Sequence, residues 1–301
     1  MSAVGLQSLP SSAREAARLA SRLGIVAREI EVHRFPDGEL RVTAGPASAT
    51  SIIYASLDRP NDKLLAVLFA AEALRRDGAE RLVLIAPYLC YMRQDTAFHQ
   101  GEAISQKVIG RLLAGTVDRV ITVDAHLHRT KNIRDVFPGI EADNLSAMPA
   151  VADAWHATGY DPATVVVGPD EESRVWVADL ATRLGTVHAV GRKTRHSDRS
   201  VDIAFADIKN LAGRPVLIVD DIVSSGGTLM TCAKAVAAAG ATVIDAVITH
   251  ALFPPELVGK LFEAGIRSVK STDSVPHPTN AIMLDAVLAR VLADEITGAV
   301  S

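Results

Sequence analysis

The chain has 301 residues, enough for two domains that each bury a core. Its composition, 49% apolar and 22% charged, is that of a soluble globular protein, and a net charge of -4 gives no support to a nucleic-acid or polybasic membrane role. No apolar run approaches the roughly 20 residues that span a bilayer, Met1 to Pro10 lack signal-peptide order, and two distant cysteines, Cys90 and Cys232, read as core residues of a reduced, cytoplasmic protein.

Short apolar runs alternate with helical patterns, which predicts an α/β fold with mainly parallel sheets. Strands are expected at Ser51–Ser56, Arg81–Ala86, Arg119–Val123, Thr164–Val167, Val187–Val190, Pro215–Val219, Thr242–Thr249 and Arg267–Lys270. Helices are expected at Leu64–Arg76, Ile104–Leu113, Ser173–Leu184, Leu229–Ala239 and Pro255–Glu263. Several of them end at a glycine, as at Gly78, Gly185, Gly240 and Gly265, the pattern of a left-handed cap. Arg119–Asp124 echoes Pro215–Asp220, each an apolar strand that ends in an acid. Two related halves would place a boundary near Asn144–Pro149, giving 1–146 and 147–280, although any two parallel strands can echo one another by chance. A final helix, Ile282–Leu292 within 281–301, could pack on either half, the first included.

Candidate functional residues gather where strands end, the side of an α/β sheet on which sites are built. Arg34–Glu39 reads as a hairpin turn with one aromatic, Phe35, and two acids, Asp37 and Glu39; an aromatic at a turn tip can stack on a purine. In the segment Pro87–Asp95, Arg93 suits bidentate phosphate contact and Gln94 base or phosphate hydrogen bonding, and an Arg–Asp surface pair is the plainer alternative. Asp124, His126 and His128 alternate just past a strand, so their side chains can converge on a metal or a phosphate oxygen. Asp170 follows another strand, where it can hold a cation or, with Glu171 and Glu172, cap a helix start. The basic run Gly191–Arg199 has no apolar anchor of its own and reads as a mobile loop, either a solvated charge run or a phosphoryl-transfer lid carrying Lys193 and Arg195.

The most informative stretch is Val216–Leu229. Val216–Val219 form a short buried-strand pattern that stops at Asp220 and Asp221, and a small-residue turn, Ser224-Ser225-Gly226-Gly227-Thr228, then opens a helix. Backbone N–H groups, hydroxyls and the helix dipole converge on an anion at such a turn. The carboxylates would repel that anion, but they suit the hydroxyls of a sugar that carries it, or a metal on those hydroxyls. The expected ligand is a pentose 5-phosphate. No Gly-Lys-Ser/Thr follows, so the turn is not a Walker P-loop, and it is not a dinucleotide fingerprint.

In order along the chain, Phe35–Glu39, Pro87-Tyr88 with Tyr91 and Arg93–Asp95, Asp124 with His126, Pro169-Asp170, Lys193 with Arg195, and Asp220–Thr228 resemble the ribose-phosphate diphosphokinase (phosphoribosyl diphosphate synthetase) family. The resemblance spans nearly the whole chain, whereas an ordinary phosphoribosyltransferase shares only the last segment. It implies two tandem type I phosphoribosyltransferase-like domains with the active site between them. ATP would use Phe35 for adenine stacking, with Asp37, Glu39, Arg93, Gln94, Asp95 and His126 on the nucleotide. In the family the aromatic turn comes from a neighbouring subunit, which implies a homodimer or larger assembly. His126 and Asp170 would hold Mg²⁺, and Asp220, Asp221, Ser224, Ser225, Gly226, Gly227 and Thr228 would bind ribose 5-phosphate. Lys193 and Arg195 would stabilise charge at the β-phosphorus as the C1 hydroxyl attacks, with release of AMP.

Two other readings compete, a phosphoribosyltransferase that consumes phosphoribosyl diphosphate and a non-catalytic regulatory homologue. The ATP-side residues oppose the first; Lys193, Arg195, His126 and Asp170 together oppose the second. Three departures from the family pattern stand out: Thr96–Gly101 lacks the basic residues of the common bacterial form and is closer to the archaeal type, Ala103 replaces a usual proline, and Glu171-Glu172 replace small residues.

Overall fold

A computed structural model describes residues 3–197, 200–205 and 211–297, with the side chains of 193–202, 204 and 297 outside that description. The chain divides into two compact units, Met1–Leu145 with Asp285–Ser301, and Ser146–Leu284. Among the described residues no helix is long and apolar enough to cross a membrane.

The first unit runs β1 (Val4–Ser8), α1 (Ala13–Leu23), β2 (Ala27–Glu29), β3 (Glu31–Arg34), β4 (Leu40–Thr43), β5 (Thr50–Tyr54), α2 (Pro60–Arg76), β6 (Arg81–Ala86), α3 (Ser105–Ala114), β7 (Arg119–Val123) and β8 (Glu141–Leu145). Six of these strands form one parallel sheet in the order β2-β1-β5-β6-β7-β8. Its central strands are covered on both faces, which is why they read as unbroken apolar runs: Leu82 to Ala86 of β6 are all buried. Strands β3 and β4 pair only with each other, as an antiparallel hairpin whose residues are mostly exposed.

The second unit runs α4 (Met148–His156), β9 (Val165–Gly168), α5 (Arg174–Leu184), β10 (Val187–Ser197), β11 (Ser200–Phe205), β12 (Pro215–Val223), α6 (Gly227–Ala238), β13 (Val243–Ala251), α7 (Leu257–Glu263), β14 (Ser268–Thr272) and β15 (Asn280–Ile282). Its strand order is β11-β10-β9-β12-β13-β14-β15, parallel except for the β10–β11 pair. The chain then returns to the first unit as α8 (Asp285–Val291) and α9 (Ala293–Thr297).

That return is fastened by charge. Arg22 of α1 donates to Asp285 at 2.6 Å. Glu295 of α9, 8% exposed, accepts from Arg81 through both carboxylate oxygens (2.8 Å each) and from Arg119 at 2.9 Å. Burial alone would raise the Glu295 carboxyl; the two guanidinium groups outweigh it and hold the group below its ordinary value. Arg81 and Arg119 start β6 and β7, so this clasp sits at the end of the sheet opposite the strand-end loops.

Two expectations need correction. Of the basic segment Gly191–Arg199, the part through Ser197 is not a loop: Val187–Ser197 is one strand whose second half pairs antiparallel with β11, Lys193 opposite Ile203 and Arg195 opposite Val201, while Asp198 and Arg199 lie outside the described residues. The anchor missing from the basic run lies on the partner strand, where Ile203 and Phe205 are buried in the core of the second unit. Likewise β12 does not stop at Val219 but continues through Asp220 and Asp221 to Val223, paired with β13 up to Ala251. A ladder that supplies backbone partners carries a strand past polar residues that sequence alone reads as its end. The short strands β1, β2, β8, β11 and β15 and the helices α1 and α4 lie outside the expected set.

Candidate active site

In the first unit the candidate residues sit past the C-terminal ends of neighbouring strands β6 and β7. Two non-glycine residues with left-handed backbone mark the site: Tyr91 at φ 61° and Asp124 at φ 37°. Such conformations cost about 1–3 kcal/mol each and persist where tertiary structure holds them. Asp124 is held by its N–H donating to the Leu145 carbonyl (2.8 Å), and the next residue's N–H donates to Asn144 Oδ1 (2.8 Å). Beyond it the rings of His126 and His128 lie 5.0 Å apart, so the two alternating histidines do come together.

The β6 loop presents Arg93 exposed and Gln94 half-buried. Gln94 donates its amide to Glu102 at 3.3 Å, and Glu102 also accepts the Phe98 N–H at 2.8 Å. Asp95 faces inward, its side chain 1% exposed, and both its oxygens accept from Arg129, one from the backbone N–H (2.9 Å) and one from Nη1 (2.8 Å). Burial would raise the Asp95 carboxyl, but the Arg129 N–H and guanidinium together hold it below the usual carboxylate range. Buried Cys90, in the same loop, has its thiol pushed up to about 12 by desolvation and is not a nucleophile.

Phe35, Asp37 and Glu39 occupy the tip of the β3–β4 hairpin, a separate two-stranded sheet. The turn is closed by Phe35 N–H to the Glu39 carbonyl (2.8 Å) and Gly38 N–H to the Phe35 carbonyl (2.9 Å), with the aromatic 38% exposed and edge-on to His33. The first turn of α2 ties both pieces down: Asp62 pairs with Arg34 of the hairpin, while Asn61 accepts from the Tyr91 hydroxyl of the β6 loop. Neither tie was visible in the sequence.

In the second unit β9 and β12 are neighbours, with Val167 level with Ile218, so Asp170, just past the end of β9, and Asp220, within β12, stand on adjacent strands. Both carboxylates act on the same buried thiol: desolvation, then the charges of Asp220 and Asp170, raise Cys232 of α6 well above its ordinary value. Asp221 is buried and Asp220 half-buried, and Asp220 Oδ1 accepts the Asp221 N–H at 3.1 Å. The close packing at Asp170 requires Gly168, because a Cβ there would lie 1.8 Å from Ser173 Oγ.

The turn that follows β12 exposes Ser224, Ser225 and Gly227. Gly226 caps α6 with φ 73°, and no side chain caps the helix N-terminus. The first turn of α6 holds no acid. Backbone N–H groups, two exposed hydroxyls and the positive end of a 12-residue helix are the groups that attract an oxyanion. Glu171 is accounted for locally: it takes a two-point ion pair from Arg174 at 2.6 and 2.9 Å. The side chains of Lys193 and Arg195 lie outside the described structure; their backbone belongs to β10.

Residues 4–116 match the family profile described as the N-terminal domain of ribose phosphate pyrophosphokinase, and residues 154–256 match the phosphoribosyl transferase domain. The ribose-phosphate pyrophosphokinase of Methanopyrus kandleri is 32% identical, with 91% of this chain and 94% of the relative covered. The chain belongs to the ribose-phosphate pyrophosphokinase family. Ribose-phosphate pyrophosphokinase 2 of Archaeoglobus fulgidus is also 32% identical, over 93% of this chain and 97% of its own length. The fold is that of the phosphoribosylpyrophosphate synthetase from Mycobacterium smegmatis, at a TM-score of 0.84 over 98% of this chain and 99% of the other, with 24% identity. The two profile matches fall one in each unit.

Proposed function

We propose that this chain is a ribose-phosphate diphosphokinase that transfers the diphosphoryl group of ATP to the C1 hydroxyl of ribose 5-phosphate, giving 5-phosphoribosyl 1-diphosphate and AMP. The observation that carries this reading is the uncapped α6 turn Ser224–Thr228 beside Asp220, in a chain whose other unit presents Arg93, Gln94 and His126 at neighbouring strand ends. The turn takes the 5-phosphate through backbone N–H groups and hydroxyls, and Asp220 and Asp221 take the ribose hydroxyls. Arg93 and Gln94 hold the triphosphate and base of ATP, and Phe35 offers its exposed face to the purine.

In the reaction a bond forms between the ribose O1 and the β-phosphorus, while the bond from that phosphorus to the oxygen bridging the α-phosphate breaks. The C1 hydroxyl loses its proton and the α-phosphate leaves as AMP. Lys193 and Arg195 supply positive charge to the crowded oxygens at the β-phosphorus; binding in line supplies much of the remaining acceleration. His126 and Asp170 would hold Mg²⁺ on ATP and on the sugar; the Asp170 carboxylate offers the oxygen donor that this ion prefers. What an ion held by these residues would supply is neutralisation of the phosphate oxygens.

A homodimer or larger assembly in the cytoplasm completes the reading, since the tip residues Phe35, Asp37 and Glu39 stand exposed on a hairpin of their own. The test is purified protein with ATP, Mg²⁺ and ribose 5-phosphate, followed for AMP. AMP that appears only with the sugar phosphate supports the synthetase. Diphosphate release that needs a nucleobase, with no AMP, means a phosphoribosyltransferase instead.

A further inference from the structure

Two independent ties join the β6 loop, which bears Arg93 and Gln94, to the β7 loop, which bears His126. The first is the Asp95–Arg129 pair, in which separate carboxylate oxygens accept the Arg129 backbone N–H (2.9 Å) and Nη1 (2.8 Å). The Phe98 ring packs against that guanidinium, 5.6 Å from ring centre to carbon. The second runs through Gln106 in the first turn of α3, a side chain only 3% exposed. Its carbonyl oxygen accepts the Thr130 hydroxyl (2.7 Å), its amide donates to the Met92 carbonyl (3.4 Å), and its backbone N–H donates to the Gln94 carbonyl (3.2 Å). Met92 and Asp95 flank Arg93–Gln94: Asp95 is held by Arg129, which directly follows His128, and Met92 by Gln106, whose side chain also accepts from Thr130.

We propose that Arg129, with Gln106, is a positioning residue that fixes Arg93 and Gln94 relative to His126, and that Asp95 serves this brace instead of touching the nucleotide. The inference rests on reading these loops as the ATP side. A carboxylate with 1% of its side chain exposed and both oxygens engaged has little left to offer a ligand, and toward a polyanion it would be repulsive. Its geometry is that of a strut. A guanidinium fork plus a backbone N–H fixes the direction as well as the distance of the partner, which a lysine at the same place would not do. The Arg129 side chain is 59% exposed while that of Asp95 is 1% exposed, so the buried end of the pair is the aspartate. The brace acts on aim: small displacements of groups that orient a substrate are costly in affinity and rate.

A double-mutant cycle tests this, using Asp95→Ala, Arg129→Ala and the pair, with Arg129→Lys as the conservative variant. ATP binding is read by calorimetry, the Michaelis constants for ATP and ribose 5-phosphate from AMP formation, and integrity from the melting temperature. We expect each single change to weaken ATP about 10-fold and the pair to weaken it no further, because both remove one strut. Ribose 5-phosphate should bind as before, the melting temperature should shift by less than about 4 °C, and Arg129→Lys should recover only part of the loss. Losses that multiply in the pair would make Asp95 an independent ATP contact and overturn the brace. So would equal losses for both substrates, or no change in ATP affinity. If the wild-type protein binds ATP but forms no AMP, the catalytic reading fails, and the calorimetric cycle still decides the brace.

Discussion

The two ends of the proposed reaction are built in different ways. The sugar-phosphate side is made of backbone and continuous sequence: strand β12, a turn of five small residues, and the N-terminus of α6. The ATP side is made of side chains from separate segments, with Arg93 and Gln94 held by Gln106, Thr130 and Arg129. A backbone cradle tolerates side-chain change but depends on φ angles; a side-chain frame tolerates backbone adjustment but depends on pairs. That difference explains why one site reads as a contiguous motif and the other as scattered letters.

The sharpest way to separate the two sides is Lys193→Ala. If Lys193 acts at the β-phosphorus, kcat falls about 10³-fold while the ribose 5-phosphate KM stays nearly constant. Steady-state kinetics check it, and equal loss in both parameters would make β10 part of the sugar site. Next in size is Glu295→Ala, far from both sites, which leaves Arg81 and Arg119 without their shared buried partner. Removing one member of a buried ionic group costs about 3 kcal/mol, read by denaturant unfolding of the first unit, and neither substrate's KM should move. Because the folded-state value of Glu295 lies below its ordinary 4.5, its contribution is complete above that pH and is lost as pH falls through the lower folded value. The Glu295→Ala protein should therefore lose less stability on acidification than the wild type.

The smallest effect tests the backbone cradle itself. Gly226→Ala places a Cβ at φ 73° and 2.6 Å from a Leu257 methyl, which a flexible side chain can partly relieve. We expect about 1 kcal/mol of destabilisation and a rise in the ribose 5-phosphate KM with the ATP KM unchanged. A matching rise for ATP would erase the contrast between the two sides.

Much of the fold was legible. Arg81–Ala86 and Arg119–Val123 were placed to the residue, because strands buried on both faces announce themselves as continuous apolar runs. Strand β8 escaped, since Glu141-Ala142-Asp143-Asn144-Leu145 is an edge strand with three polar residues in five. The basic arm is hidden for a related reason: Arg192 to Ser197 hold no apolar residue, and the strand they pair with carries the buried residues, Ile203 and Phe205. At the site, Asp95 was picked out by its neighbours in sequence, yet its partner Arg129 lies 34 residues away. Gln106 looked like any polar residue at a helix start.

The sequence by itself determined the α/β class, the small-residue turn that opens a helix after β12, and the residue types proposed for phosphoryl transfer. Those depend on local periodicity, on turn chemistry and on groups adjacent in the chain. Only the tertiary structure decided that the last helices close on the first unit through Glu295, that the basic segment is a strand, and that Asp95 is tied to Arg129. Each of these is a pairing between distant segments. A charge or a bare backbone edge carries no mark in sequence of which partner will satisfy it.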